Sequence, residues 1–122
     1  GITGTLPTEL GRLAALRELR AQWNMLTGAL PTELGRLTLL EVLALHWNQL
    51  AGTLPSELGE LSALRTLELG DNLLHGTLPR ELAALPALDN LLVYGNIGLC
   101  GGIPEGASNL PLGEYLSTFA TE

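Results

Sequence analysis

The sequence predicts an α/β solenoid in which short coils stack side by side, so that no single coil can fold alone. Three observations carry that prediction. A leucine-spaced run ending in asparagine, Leu16-x-x-Leu19-x-Ala21-x-x-Asn24, recurs as Leu40 to Asn48, Leu64 to Asn72 and Leu88 to Asn96, placing the asparagines 24 residues apart. The same turn signature follows, as Gly28-Ala29-Leu30-Pro31, Gly52-Thr53-Leu54-Pro55 and Gly76-Thr77-Leu78-Pro79. Of the 122 residues 46% are hydrophobic but only 4% aromatic, so leucine builds the core. A fixed period between about 20 and 50 residues marks repeat architectures.

The chain opens in mid-repeat, because Gly1-Ile2-Thr3-Gly4-Thr5-Leu6-Pro7 matches Met25-Leu26-Thr27-Gly28-Ala29-Leu30-Pro31. Residues 1–12 are therefore read as a partial repeat of a sequence that continues upstream. Repeats 13–36, 37–60, 61–84 and 85–109 follow within one domain, and 110–122 form a C-terminal cap or tail.

Each repeat reads as strand, turn, flank and helical turn. The alternation of Leu43, Ala44 and Leu45 has the period of a strand with one buried face. Coils stacked in register pair such strands into a parallel sheet spaced about 4.8 Å per strand. Asn24, Asn48, Asn72 and Asn96 close the strands, where a buried amide both donates and accepts hydrogen bonds for the turn backbone. Glycine then permits a tight backbone and proline removes a donor, giving a short extended flank. In Pro31-Thr32-Glu33-Leu34-Gly35 and Pro55-Ser56-Glu57-Leu58-Gly59, Thr32 or Ser56 is the expected cap and Gly the expected end of a helical turn. Glu9, Glu33, Glu57 and Glu81 sit near the positive end of that turn, as helix-start residues rather than catalytic acids.

The run Leu40-x-x-Leu43-x-Leu45-x-x-Asn48-x-Leu50-x-Gly52-x-Leu54-Pro55 resembles the plant-type leucine-rich repeat family, whose ectodomains include receptor-like proteins and polygalacturonase-inhibitor-like proteins. The match covers roughly residues 1–104. The resemblance implies a right-handed solenoid with a concave parallel sheet, a second flanking strand and short 3₁₀ or helical turns on the convex side. It also implies a binding role and a secreted or cell-surface setting. Two features depart from the family pattern. Its ectodomains carry paired-cysteine caps, whereas this chain has only Cys100, compatible with a reducing compartment or with pairing to another chain. The segment Asn96-Ile97-Gly98-Leu99-Cys100-Gly101-Gly102-Ile103-Pro104 holds one inserted residue and resembles the end of plant arrays. Beyond it the leucine grid decays, and Tyr115 and Phe119 are expected to cover the open core.

Stacked coils turn residues 24 apart into columns, and the solvent-facing columns hold what is not repeated. Arg17, Glu41, Arg65 and Asp89 alternate in sign as a cross-strand charge ladder. Arg20, Ala44, Glu68 and Leu92 form a mixed column. The other two are Gln22, His46, Gly70, Tyr94 and Trp23, Trp47, Asp71, Gly95, so Trp23, Trp47 and Tyr94 project from the concave sheet. Trp23 and Trp47 should stack one strand apart. Aromatics and Arg are enriched at binding hot spots. The expected ligand strip is Arg20, Gln22, Trp23, His46, Trp47, Glu68, Asp71 and Tyr94, set against a tryptophan pair that only staples two strands.

The reading is a non-catalytic recognition module for a protein, peptide or glycan. The alternative is a structural repeat segment of a surface fibre or large assembly, with end-to-end contacts at an uncapped edge. Thirteen acidic and six basic residues leave a net charge of −7, which disfavours nucleic acid. No run reaches the roughly 18 apolar residues of a membrane span. No cofactor is indicated: His46, His75 and Cys100 lack zinc-site spacing, and neither Ser56 nor Ser62 lies in a nucleophile elbow. No Asn is followed two residues on by Ser or Thr, so N-glycosylation is not expected. The exposed threonines Thr5, Thr53 and Thr77 share a flank column, a short row that an ice surface could read, interrupted by Ala29.

Overall fold

The computed structural model describes residues 1–100. The cap assigned to 110–122, with Tyr115 and Phe119, lies outside the described residues.

Among the described residues there are nine short strands and four 3₁₀ turns. The strands are β1 (Thr3–Thr5), β2 (Glu18–Arg20), β3 (Met25–Thr27), β4 (Val42–Ala44), β5 (Ala51–Gly52), β6 (Thr66–Glu68), β7 (Leu73–Gly76), β8 (Asn90–Leu92) and β9 (Gly98–Leu99). One strand per coil forms the principal sheet, β2-β4-β6-β8, parallel throughout. Its register is the repeat itself: Leu19 pairs with Leu43, Leu43 with Leu67 and Leu67 with Leu91. A second layer on the flank is parallel too, as β1-β3 and β5-β7-β9, the two pieces linked by Gln49 N–H to Leu26 C=O and Ala51 N–H to Gly28 C=O, both 2.9 Å.

Leucine fills the space between the layers. Leu43, Leu45, Leu50, Leu58, Leu61, Leu64, Leu67, Leu69 and Leu74 are all 0% exposed. Each contributes about 1.5–3 kcal/mol by leaving water, and the contacts run from coil to coil.

The asparagine ladder forms as the sequence predicts. Leu50 N–H donates to Asn72 Oδ1 at 2.9 Å, while Asn72 Nδ2 donates to the carbonyls of Leu45, Leu69 and Gly70 at 3.0–3.2 Å. Asn48 and Asn96 repeat this, and Asn24 serves Ile2 at the first coil. One amide per coil thus satisfies the turn on both of its sides.

The helical turns correct two expectations. Thr8–Arg12, Thr32–Arg36, Ser56–Glu60 and Arg80–Ala84 each begin after an extended proline, and none has a side-chain cap. The hydroxyls of Thr8, Thr32 and Ser56 turn instead to the neighbouring Glu9, Glu33 and Glu57 carboxylates. Nor does glycine end the turn: Gly35 lies inside it, and a Cβ there would come 2.6 Å from the Glu57 carbonyl oxygen. The glycine is required by the closeness of the next coil, not by a left-handed cap.

The inserted residue before Cys100 is absorbed locally. Leu99 N–H closes a turn onto Asn96 C=O at 3.0 Å, leaving Ile97 91% exposed and returning Leu99 to the core at 1%.

Candidate functional site

The exposed face of the principal sheet carries the candidate strip. Its floor is Ala44, paired in register with Arg20 on one side and Glu68 on the other, and fully buried although it faces outward. A small side chain between two long ones makes the middle of the strip its lowest point.

Beyond the strands the backbone ladder continues through the tryptophans. Trp23 N–H donates to His46 C=O at 3.1 Å and Trp47 N–H to Gly70 C=O at 3.0 Å. Both residues have left-handed backbone, φ 60° and 59°, and so does Asp71 at 53°, while Gly95 completes the column at 78°. A left-handed conformation costs a bulky L-residue about 1–2 kcal/mol. The indoles stack as expected, with centroids 4.9 Å apart and planes 10° from parallel, yet they remain 67% and 45% exposed.

Next to the stack, His46 Nδ1 lies 3.2 Å from Glu68 Oε2, in a group about three-quarters buried. The approach is close enough for an ion pair with protonated His46 but is not aligned as a hydrogen bond, so Nδ1 has no hydrogen-bond partner. Gln22 Oε1 and Asp71 Oδ2 are likewise buried without one. These three polar atoms all belong to the predicted strip. Asp71 carries its carboxylate over Gly95, into the space a side chain there would fill.

Two residues differ from expectation. Tyr94 does not stand out from the sheet: its ring lies across Gly70, with Cε1 and Cζ 3.2 Å from where a Cβ on that glycine would be. Arg20 is held by Glu18 of its own strand at 2.7 Å. The charge ladder is also broken into two pairs, Arg17–Glu41 at 3.1 Å and Arg65–Asp89 at 3.6 Å, with no ion pair between Glu41 and Arg65. One further outward column, Glu18, Val42, Thr66 and Asn90, is not among those expected from the sequence and shares the sheet face with Arg20 and Glu68. Counting back two residues from Arg20, the side-chain period of a strand, would have found it.

Among the described residues no group of three or more His, Cys, Asp or Glu side chains is placed to hold a metal ion. Nor is any helix among them long and apolar enough to cross a membrane.

A parallel sheet with one strand per coil, an internal asparagine ladder and convex 3₁₀ turns defines a leucine-rich-repeat solenoid. The leucine rich repeat model matches residues 39–61 and 63–85, and the chain belongs to the plant-type leucine-rich repeat family. It superposes on PEPR1–AtPEP1 with a TM-score of 0.85 at 40% identity, over 91% of this chain and 16% of that one. The Arabidopsis receptor kinase HAESA, solved with the peptide hormone IDA and the co-receptor SERK1, gives 0.85 at 36% identity, over 91% and 18%. A plant ice-binding protein gives 0.79 at 35% identity, over 84% and 33%. The chain spans less than a fifth of the two receptor structures. No curated protein matches it.

Proposed function

We propose that this chain is a non-catalytic recognition module that binds an extended peptide segment across its concave strip. The observation that carries the reading is the Trp23–Trp47 stack, held wide open to solvent on backbone that disfavours tryptophan. A core would hide such rings, and a purely structural turn is better served by the glycine found at Gly95. A peptide ligand is supported by the structural relatives, since HAESA was solved with a peptide hormone and RGFR1 is a plant peptide hormone receptor solved with RGF2. The setting that accompanies this reading is extracellular, secreted or at the cell surface.

The ice-binding relative gives the flank threonines no comparable support. Thr5 and Thr53 turn their methyl groups onto Gly28 and Gly76 of the next coil, and Ala29 interrupts the row.

Display of random linear ten-residue peptides against the immobilised chain tests the reading. Enriched peptides should bind the parent and lose at least about tenfold in affinity on Trp47→Asn, as expected for an aromatic hot spot. Equal binding by parent and variant would remove the concave strip as the site.

A further inference from the structure

We infer that the outer face of the flank layer, β1-β3 with β5-β7-β9, is a self-association surface on which a second copy of this chain docks weakly and reversibly. Charge placement is the first argument. Among the described residues there are sixteen Asp, Glu and Arg side chains, eight on or next to the principal strands and eight in the 3₁₀ turns. The flank strands hold none. Their outward residues are threonine, alanine and apolar side chains, with one glutamine, Gln49, and one histidine, His75. The whole chain carries a net charge of −7, so two copies repel one another least where both present a surface without charge.

The apolar row is the second argument. Met25, Gln49, Leu73 and Ile97 stand 24 residues apart, and neighbouring coils are joined beside them by Gln49 N–H to Leu26 C=O and Leu73 N–H to Leu50 C=O. Met25 is 45% exposed, Leu73 61% and Ile97 91%. Interface centres are depleted of charge and enriched in such side chains as methionine. A second copy brings the same uncharged, apolar surface, and one patch meeting itself is the commonest way for like chains to pair. A membrane surface is the poorer occupant, because the row lacks the aromatic and basic anchors of interfacial segments.

Size sets the strength. Five coils at about 4.8 Å and five extended residues at about 3.3 Å give a face of roughly 24 by 17 Å, about 400 Å² on each copy. Twice that area falls below the roughly 1,200 Å² of a stable complex, so the contact is a weak one.

Sedimentation equilibrium of the chain over a concentration series tests the assignment. Apparent mass should climb from one copy toward two. Added salt should strengthen the association, since it screens the repulsion between like-charged copies and the contact has no ion pair to weaken. Leu73→Glu sets like charges into the contact from both sides, and Kd should rise at least about tenfold. Thr27→Glu, at another exposed position of the same face, should act alike, so the result does not hang on one variant folding. A single mass at every concentration, association that salt weakens, or association that both variants leave unchanged overturns the flank contact. The last outcome would move the contact to another surface, such as the open strand edge of the first coil. Peptide binding on the concave face stands or falls separately, because neither variant touches Trp23 or Trp47.

Discussion

Trp47 stands on left-handed backbone at φ 59°, in the column position that Gly95 fills at φ 78° two coils later. The fold itself therefore accepts a residue with no side chain there. Tryptophan at that place has to be justified by what its ring does, and the ring stacks on Trp23 while staying 45% exposed.

Trp47→Asn removes the stack, worth about 0.5–1.5 kcal/mol beyond burial. It also relieves left-handed strain of about 1–2 kcal/mol, since Asn visits that region readily. The two effects offset. The covered half of Trp47, which is 45% exposed, adds a burial loss of about 1–2 kcal/mol, so denaturant unfolding should show a net loss of no more than about 2 kcal/mol, while peptide affinity falls. A loss of several kcal/mol would make the pair a structural staple instead.

The buried amides behave differently. Asn72 serves one N–H and three carbonyls at 4% exposure; Asn72→Ala leaves the Leu50 N–H unpaired, whereas the carbonyls of Leu45, Leu69 and Gly70 keep Asn48 Nδ2, Asn96 Nδ2 and Trp47 N–H as donors. An orphaned buried N–H costs about 1–3 kcal/mol, and the variant should lose about that much. Asn24→Ala, at the more open first coil, should lose distinctly less in the same denaturation experiment.

Glycines separate clash from strain. Gly35→Ala puts a methyl 2.6 Å from the Glu57 carbonyl without any left-handed requirement. Overpacking of this kind costs about 1–3 kcal/mol, and backbone oxygen cannot swing aside, so the upper part of that range is expected. Gly4 has φ 99° and nothing within 4 Å, so Gly4→Ala should cost about 1 kcal/mol from strain alone. Paired thermal melts should rank Gly35→Ala well below Gly4→Ala.

Exposed ion pairs should matter little. Arg17 is 65% exposed in its pair with Glu41, and Arg17→Ala should change unfolding free energy by less than about 0.5 kcal/mol. A larger loss would show the two surface pairs to be a coupled network.

Leucine spacing and the asparagine period made the core, the principal sheet and the tryptophan stack legible, because a 24-residue period states which residues become neighbours. It does not state how far neighbouring strands are staggered. On the flank Thr5 lies opposite Thr27, and Ala51 opposite Leu73, 22 residues apart rather than 24. The left-handed column was hidden for a related reason: tryptophan opposes that conformation, and only Gly95 hinted at it. The glycines of the helical turns, such as Gly35, were read as local caps, since the carbonyl that requires them arrives from the next coil. Tyr94 could be placed in its column but not in its pose, which depends on the empty space above Gly70.

Backbone amide chemical-shift mapping of the isotope-labelled chain, titrated with an enriched peptide, bears most directly on the idea that coil stacking assembles a docking strip. The largest shifts should fall on Gln22, Trp23, His46, Trp47, Glu68 and Asp71, residues scattered across three coils in sequence. Shifts confined to the flank row of Met25, Leu73 and Ile97, with the tryptophan signals unmoved, would contradict it.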